Sequence, residues 1–197
     1  MNEHDLGPGF LLAAPDLLDP NFHRSVVLLG FAEDGGALGW TLNGAAVADG
    51  ATIVRSTGLV APGAPLPASF DRPATRGGPV SRESVWIVYR VQHGAALLPG
   101  SLPIGAGIAV TASVDALRAF TSGERTDVFR LVVGYAGWGA AQLAGEITAG
   151  AWLFTAADPE LVFGDAANAA DTLWERAYQK TMGIHPGAYV GGKPGSA

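Results

Sequence analysis

Short continuous apolar runs, separated by clusters of turn residues, dominate the first third of the chain. Residues 9 to 14 read GFLLAA and stop at Pro15, which predicts a short strand. Turn chemistry follows over Asp16 to Asn21, with Asp19-Pro20-Asn21 as the stop. Ser25 to Phe31 (SVVLLGF) is rich in β-branched residues and predicts a buried strand. Glu33-Asp34-Gly35-Gly36 is a hairpin signal, so Ala37 to Leu42 (ALGWTL) returns antiparallel to it. The N-terminal third is a meander of strands.

Further along, helical and extended patterns alternate. Thr52 to Leu59 supports a short helix at most. Residues 61 to 68 read APGAPLPA, an extended, exposed connector and the candidate for a lobe boundary or insertion within a single domain. Thr75 to Val80 (TRGGPV) predicts a tight turn before a largely buried strand over Ser84 to Val91 (SVWIVYRV). Gly107 to Thr111 is another short strand. Ser113 caps a helix over Val114 to Thr121, with Val114, Leu117 and Phe120 on one apolar face and Gly123 as the stop. Asp127 to Tyr135 is a strand, Gly139 to Thr148 a helix with Leu143 and Ile147 on its buried side, and Ala151 to Phe154 a strand. Asn168 is a candidate N-cap for a last helix, with Leu173, Trp174, Ala177 and Tyr178 facing the core and Gly183 as its end. The Gly/Pro-rich tail from Gly187 is expected to fray. Strands early and alternation later predict an α+β domain: a mixed, mostly antiparallel sheet or open barrel with helices packed outside it.

Composition narrows the function. Of 197 residues, 48% are hydrophobic and 15% charged, which is a globular balance. A chain of this length buries roughly 70% of its extended surface, so its core needs no staple. With no cysteine, a disulfide framework, a thiol nucleophile and a thiolate metal site are excluded. The formal charge of −6 argues against a broad grip on nucleic acid, although Arg72, Arg76, Arg82 and Arg90 lie close together in sequence. Val91 to Val114 is uncharged, but its prolines and glycines interrupt it, so it reads as strand, loop, strand and not as a membrane span. Met1-Asn2-Glu3-His4-Asp5 is acidic where a secretory signal is basic, so a soluble, cytoplasmic protein is expected. His4, His23, His93 and His185 show no metal-ligand spacing, and no cofactor motif is present.

The candidate chemistry centres on Val133-Gly134-Tyr135-Ala136-Gly137-Trp138-Gly139, where a β-rich run opens onto a helical pattern. Glycines at 134, 137 and 139 require either a sharp turn or close approach of another group. A strand–glycine–helix turn there would present N–H groups around Gly137 to Ala140 to a phosphate or carboxylate, with Trp138 as a wall and Gln142 one turn up. The alternative is a packing turn with Trp138 in the core. No P-loop Lys-Ser/Thr follows, and the order is not that of a dinucleotide fingerprint. Arg24 could clamp an anion that Ser25 orients, but a nucleophilic Ser25 lacks a base, because His23 on the same strand face is about 7 Å away. Asn43 ends a strand and is expected to cap its own backbone. Gly77 and Gly78 form a turn whose neighbour Arg76 could reach a shared cleft.

Several segments together resemble one family. Phe22-His23-Arg24-Ser25-Val26-Val27, the hairpin return Gly36 to Asn43, Gly77-Gly78-Pro79-Val80, the block Gly134 to Leu153 (GYAGWGAAQLAGEITAGAWL) and the helix Leu173-Trp174-Glu175-Arg176-Ala177 with Gly183-Ile184 are similar to the motifs of the YqgE/AlgH family of bacterial proteins. The likeness runs from about Phe10 to Ile184. Two places depart from it: Gly44-Ala45 stands where the family usually has Arg-Pro, and Tyr89-Arg90 where a histidine usually ends the strand. The resemblance implies a compact α+β fold and a cytosolic bacterial protein of no established activity. Members are often labelled transcriptional regulators without a recognisable DNA-binding motif, and no helix-turn-helix pattern occurs here. Two functions follow as expectations: a non-catalytic regulatory or interaction protein with an unknown protein partner or small anionic ligand, or an enzyme or sensor acting on a phosphorylated or carboxylate metabolite.

Overall fold

The apolar runs near the N-terminus are strands buried on both faces. In the computed structural model, which describes residues 7–31, 36–164 and 170–188, β1 (Gly9–Ala13), β2 (Val26–Phe31) and β3 (Ala37–Thr41) form the antiparallel meander. Phe10, Leu12, Val26 and Leu28 enter one apolar cluster, while Leu11, Ala13, Val27 and Leu29 enter another across the sheet. Two opposed faces need apolar cover at every position, which removes the usual alternation.

The other strands extend this meander. β10 (Trp152–Thr155) pairs with β1, and β9 (Phe129–Trp138) pairs with β3. Beyond β9 lie β6 (Val80–Arg90), β8 (Ile108–Thr111) and β7 (Leu102–Gly105), giving the order β10-β1-β2-β3-β9-β6-β8-β7. β4 (Ala46–Asp49) pairs with β5 (Pro73–Arg76), and β5 runs parallel to β9. The sheet curls until β7 approaches β2; a Cβ on Gly30 would lie 2.5 Å from the Leu102 side chain. The result is α+β: a mixed, mostly antiparallel half-barrel.

Five helices close this shape among the described residues. Inside the curl, Phe10, Trp40, Val88 and Val110 meet Leu161 and Val162 of α4 (Pro159–Phe163) and Leu173, Trp174, Ala177 and Tyr178 of α5 (Ala170–Met182). α1 (Gly50–Ser56) and α2 (Val114–Thr121) cover the outer side of β6, β8 and β9, and α3 (Ala140–Thr148) covers that of the meander through Leu143. Each fully buried Leu or Phe contributes about 1.5–3 kcal/mol.

Local signals explain most boundaries. Ser113 Oγ accepts from the Ala116 N–H at 3.4 Å, capping α2, and Gly123 leaves the helix with φ +77. Val114 is not part of the apolar face; it is 50% exposed, and Ala116 joins Leu117 and Phe120 instead. The connector over residues 61–68 is irregular and tied to α1, since Arg55 Nη2 donates to Ala64 O at 3.0 Å. The tight turn expected over Thr75 to Val80 is shorter than that: Thr75 and Arg76 belong to β5 and Val80 to β6, leaving Gly77 to Pro79 between them. β4 and β5 carry only four residues of weak pattern each, and the short α4 is set by Asp158 and Pro159 at its start. Asn168, the hairpin signal at 33–35 and all but the first two residues of the tail lie outside the described residues.

Candidate functional site

The glycine block is a strand and not a turn. β9 continues through Gly137 and Trp138, and Gly139 is the N-cap of α3. At Gly134 the backbone takes φ +77; the register with β6 breaks here, and β9 passes from β5, paired at Val132 and Val133, to β3, paired from Ala136 to Trp138. The glycines answer to one another. A Cβ on Gly77 would sit 2.3 Å from Gly134 O, one on Gly78 2.2 Å from the Tyr135 carbonyl carbon, and one on Gly134 2.9 Å from Gly78 O. Two separate sequence motifs thus make one contact of bare backbone against bare backbone. Gly137 is different: it is exposed, and a Cβ there meets only the Tyr135 ring, at 3.8 Å.

The tryptophan that follows is packed. Trp138 is 5% exposed, and its indole N–H donates to Glu146 Oε2 at 3.0 Å. Trp152 donates to the same oxygen at 2.8 Å, and Gln142 Nε2 donates to Glu146 Oε1 at 2.9 Å. Phe22 lies across both indoles, with ring centroids 5.9 Å from Trp138 and 5.3 Å from Trp152. Gln142 Oε1 in turn accepts from the Gly139 N–H at 3.4 Å. Glu146, absent from the expected site, organises all of this. Its signal was the spacing of Gln142 and Glu146 at i, i+4 on one helix face.

The remaining candidates lie elsewhere. Asn43 does not cap its own turn: Oδ1 accepts from Val26 N and Nδ2 donates to Arg24 O, each at 2.8 Å, joining β3 to the entry of β2. Arg24 is exposed, has φ 52 and places its guanidinium 5.5 Å from the Trp174 ring centroid. Ser25 is 3% exposed with no hydrogen-bond partner for Oγ, while His23 Nδ1 faces Leu17 O at 3.0 Å. Arg76 is half-buried at the end of β5, and Tyr135 is half-buried with its ring edge on Trp86. Trp138 stands opposite Ala37 at one end of β3, whereas Asn43 lies beyond the other end, about 20 Å along the strand. The structure therefore ties Arg24 to Asn43, sets Arg76 and Gly77 beside residues 41–45, the segment that carries Asn43, packs Gly78 on Tyr135, and leaves Trp138 with Gln142 at the far end of β3.

A different cleft concentrates positive charge. It has a volume of about 400 Å³ and opens between β5, the start of β9 and α4, with Arg72, Arg130, Ser69 and Thr75 as its polar lining. Arg130 is held by two carbonyls, donating from Nη2 to Leu42 O at 2.8 Å and from Nη1 to Val162 O at 3.3 Å. Burial, and behind it the neighbouring charge of Arg72, lowers its pKa from the ordinary guanidinium range to about 10. Thr75 is 7% exposed, and its Oγ1 has no partner within the protein. Among the described residues, neither Asp, Glu nor His lines the cleft. Arg130 was not singled out from the sequence, although a lone cation inside the apolar run VFRLVVGY was a usable signal.

No helix of the described residues is long and apolar enough to cross a membrane, and among them no group of three His, Asp or Glu side chains is placed to hold a metal ion. A family model described as AlgH-like matches residues 10–186. A UPF0301 protein of Anaeromyxobacter sp. (strain Fw109-5) is 34% identical over 194 residues, covering 98% of this chain and 96% of that one. The solution structure of the AlgH protein from Pseudomonas aeruginosa superposes with a TM-score of 0.70 at 26% identity, over 96% of this chain and 95% of that one. A Corynebacterium diphtheriae protein shares the fold, with a TM-score of 0.68 at 24% identity over 91% and 90% of the two chains. The family match over most of the length and the similarity to these relatives show that the chain belongs to the AlgH-like family.

Proposed function

We propose that this is a non-catalytic regulatory or interaction protein that acts by binding, with a small anionic ligand among its partners. The observation that supports this reading is the make-up of the arginine cleft: cations and hydroxyl side chains line it with no carboxylate or imidazole among the described residues there. Such a set attracts and orients an anion but offers no general base to activate a nucleophile. Buried Ser25, with no partner for its hydroxyl, is equally without a base. The formal charge of −6 weighs against nucleic acid as the partner.

Incubation with a panel of phosphorylated and carboxylated metabolites tests this directly. Compounds that raise the melting temperature are expected to be recovered unchanged when followed by phosphorus and proton NMR. Conversion of any of them above the protein-free rate would replace a binding protein with an enzyme.

A further inference from the structure

We propose that the cleft between Arg72 and Arg130 receives the phosphate group of a small phosphorylated molecule, with the Thr75 hydroxyl as an additional donor. The assignment rests on the reading that the protein works by binding an anion, and it specifies where and of what class.

Three observations point the same way. The first is uncompensated charge. Among the described residues, carboxylates pair with Arg90, Arg118, Arg125 and Lys180, but none pairs with Arg72 or Arg130. Arg130 is oriented by two backbone carbonyls, which fix the plane of its guanidinium and leave its charge unbalanced. Arg72 and Arg130 line one concave surface and repel one another, and an anion bound there relieves that repulsion.

The second observation is Thr75. A hydroxyl that is more than nine-tenths buried without a protein partner is costly, by about 1–3 kcal/mol. Thr75 lines the same cleft as the arginines, so a rotation of its side chain would bring the covered hydroxyl to a ligand oxygen. The third is size. About 400 Å³ exceeds what a bare phosphate occupies, and Val162 and Phe163 supply an apolar wall for an organic body. A phosphate monoester carries about −1.5 to −2 charge at neutral pH and matches both cations, whereas a monocarboxylate leaves one unbalanced.

Calorimetric titration with phenyl phosphate, inorganic phosphate and benzoate separates these terms. Phenyl phosphate is expected to bind about tenfold or more tightly than benzoate, with inorganic phosphate between them. Arg72→Gln changes an exposed side chain, so its melting temperature should match that of the parent while phenyl phosphate affinity falls about tenfold. Thr75→Val should fold and lose about threefold to tenfold. Equal affinities in the parent and both folded variants would place the anion elsewhere, and no heat with either phosphate up to about 10 mM would remove the site. Turnover of a bound phosphate would overturn the non-catalytic reading alone; failure to bind would overturn this site alone.

Discussion

Two regions of the molecule set polar side chains among aromatic rings, and they treat them in opposite ways. Around Trp138, one carboxylate takes both indole N–H groups and the Gln142 amide, so each of these donors has an acceptor. Around Arg130 two cations and two hydroxyl side chains line one cleft with no carboxylate or imidazole among the described lining residues, and Thr75 Oγ1 is buried without a partner from the protein. The first arrangement rigidifies a helix–strand corner; the second leaves interaction capacity open to a ligand. Satisfied polar clusters build scaffolds, and unsatisfied ones at a surface are where recognition begins.

The largest effect that would sharpen this contrast is at the glycine contact. Gly78→Ala puts a methyl 2.2 Å from the backbone of Tyr135, so it should cost about 3 kcal/mol or more, or prevent folding, in urea titration. Gly137→Ala, in the motif that Gly78 packs against but with only the Tyr135 ring within reach at 3.8 Å, should change stability by no more than about 0.5 kcal/mol. Equal losses at the two sites would mean that the block is held by something other than close backbone approach. Glu146→Ala strands two buried indole N–H groups and should lower stability by about 2 kcal/mol, with a changed tryptophan emission. Glu146→Gln keeps an acceptor and should lose only about 1 kcal/mol. The smallest effect is at Thr75. Thr75→Val removes a hydroxyl the fold does not use, so thermal melts without ligand should be unchanged or improved by about 1 kcal/mol. A large loss there would show the cleft to be as fully satisfied as the tryptophan corner.

Much of the scaffold was legible because it rests on local signals. The apolar runs of β1 to β3, the Ser113 cap and the buried face of α5 all follow from residues close in sequence. The block from Gly134 to Leu153 identified the family, yet its physical meaning was hidden. Gly134 requires Gly77 and Gly78, which are distant in the chain, so a turn and a backbone-to-backbone contact looked alike. Asn43 was read as a local cap for the same reason, although its partners are Arg24 and Val26. The arginine cleft was illegible because Arg130, inside an apolar strand, is distant in the chain from Arg72 and Thr75 at β5. Only the fold makes them neighbours.

The Asn43 tie has a consequence for how the meander opens. Antiparallel pairs ordinarily fray from the end remote from their loop, where the ladder has no covalent closure. β2 and β3 are joined on one side by the chain itself, and on the other an amide side chain latches both an N–H and a C=O of the opposite segment. With neither end loose, this pair has no natural place to begin unzipping.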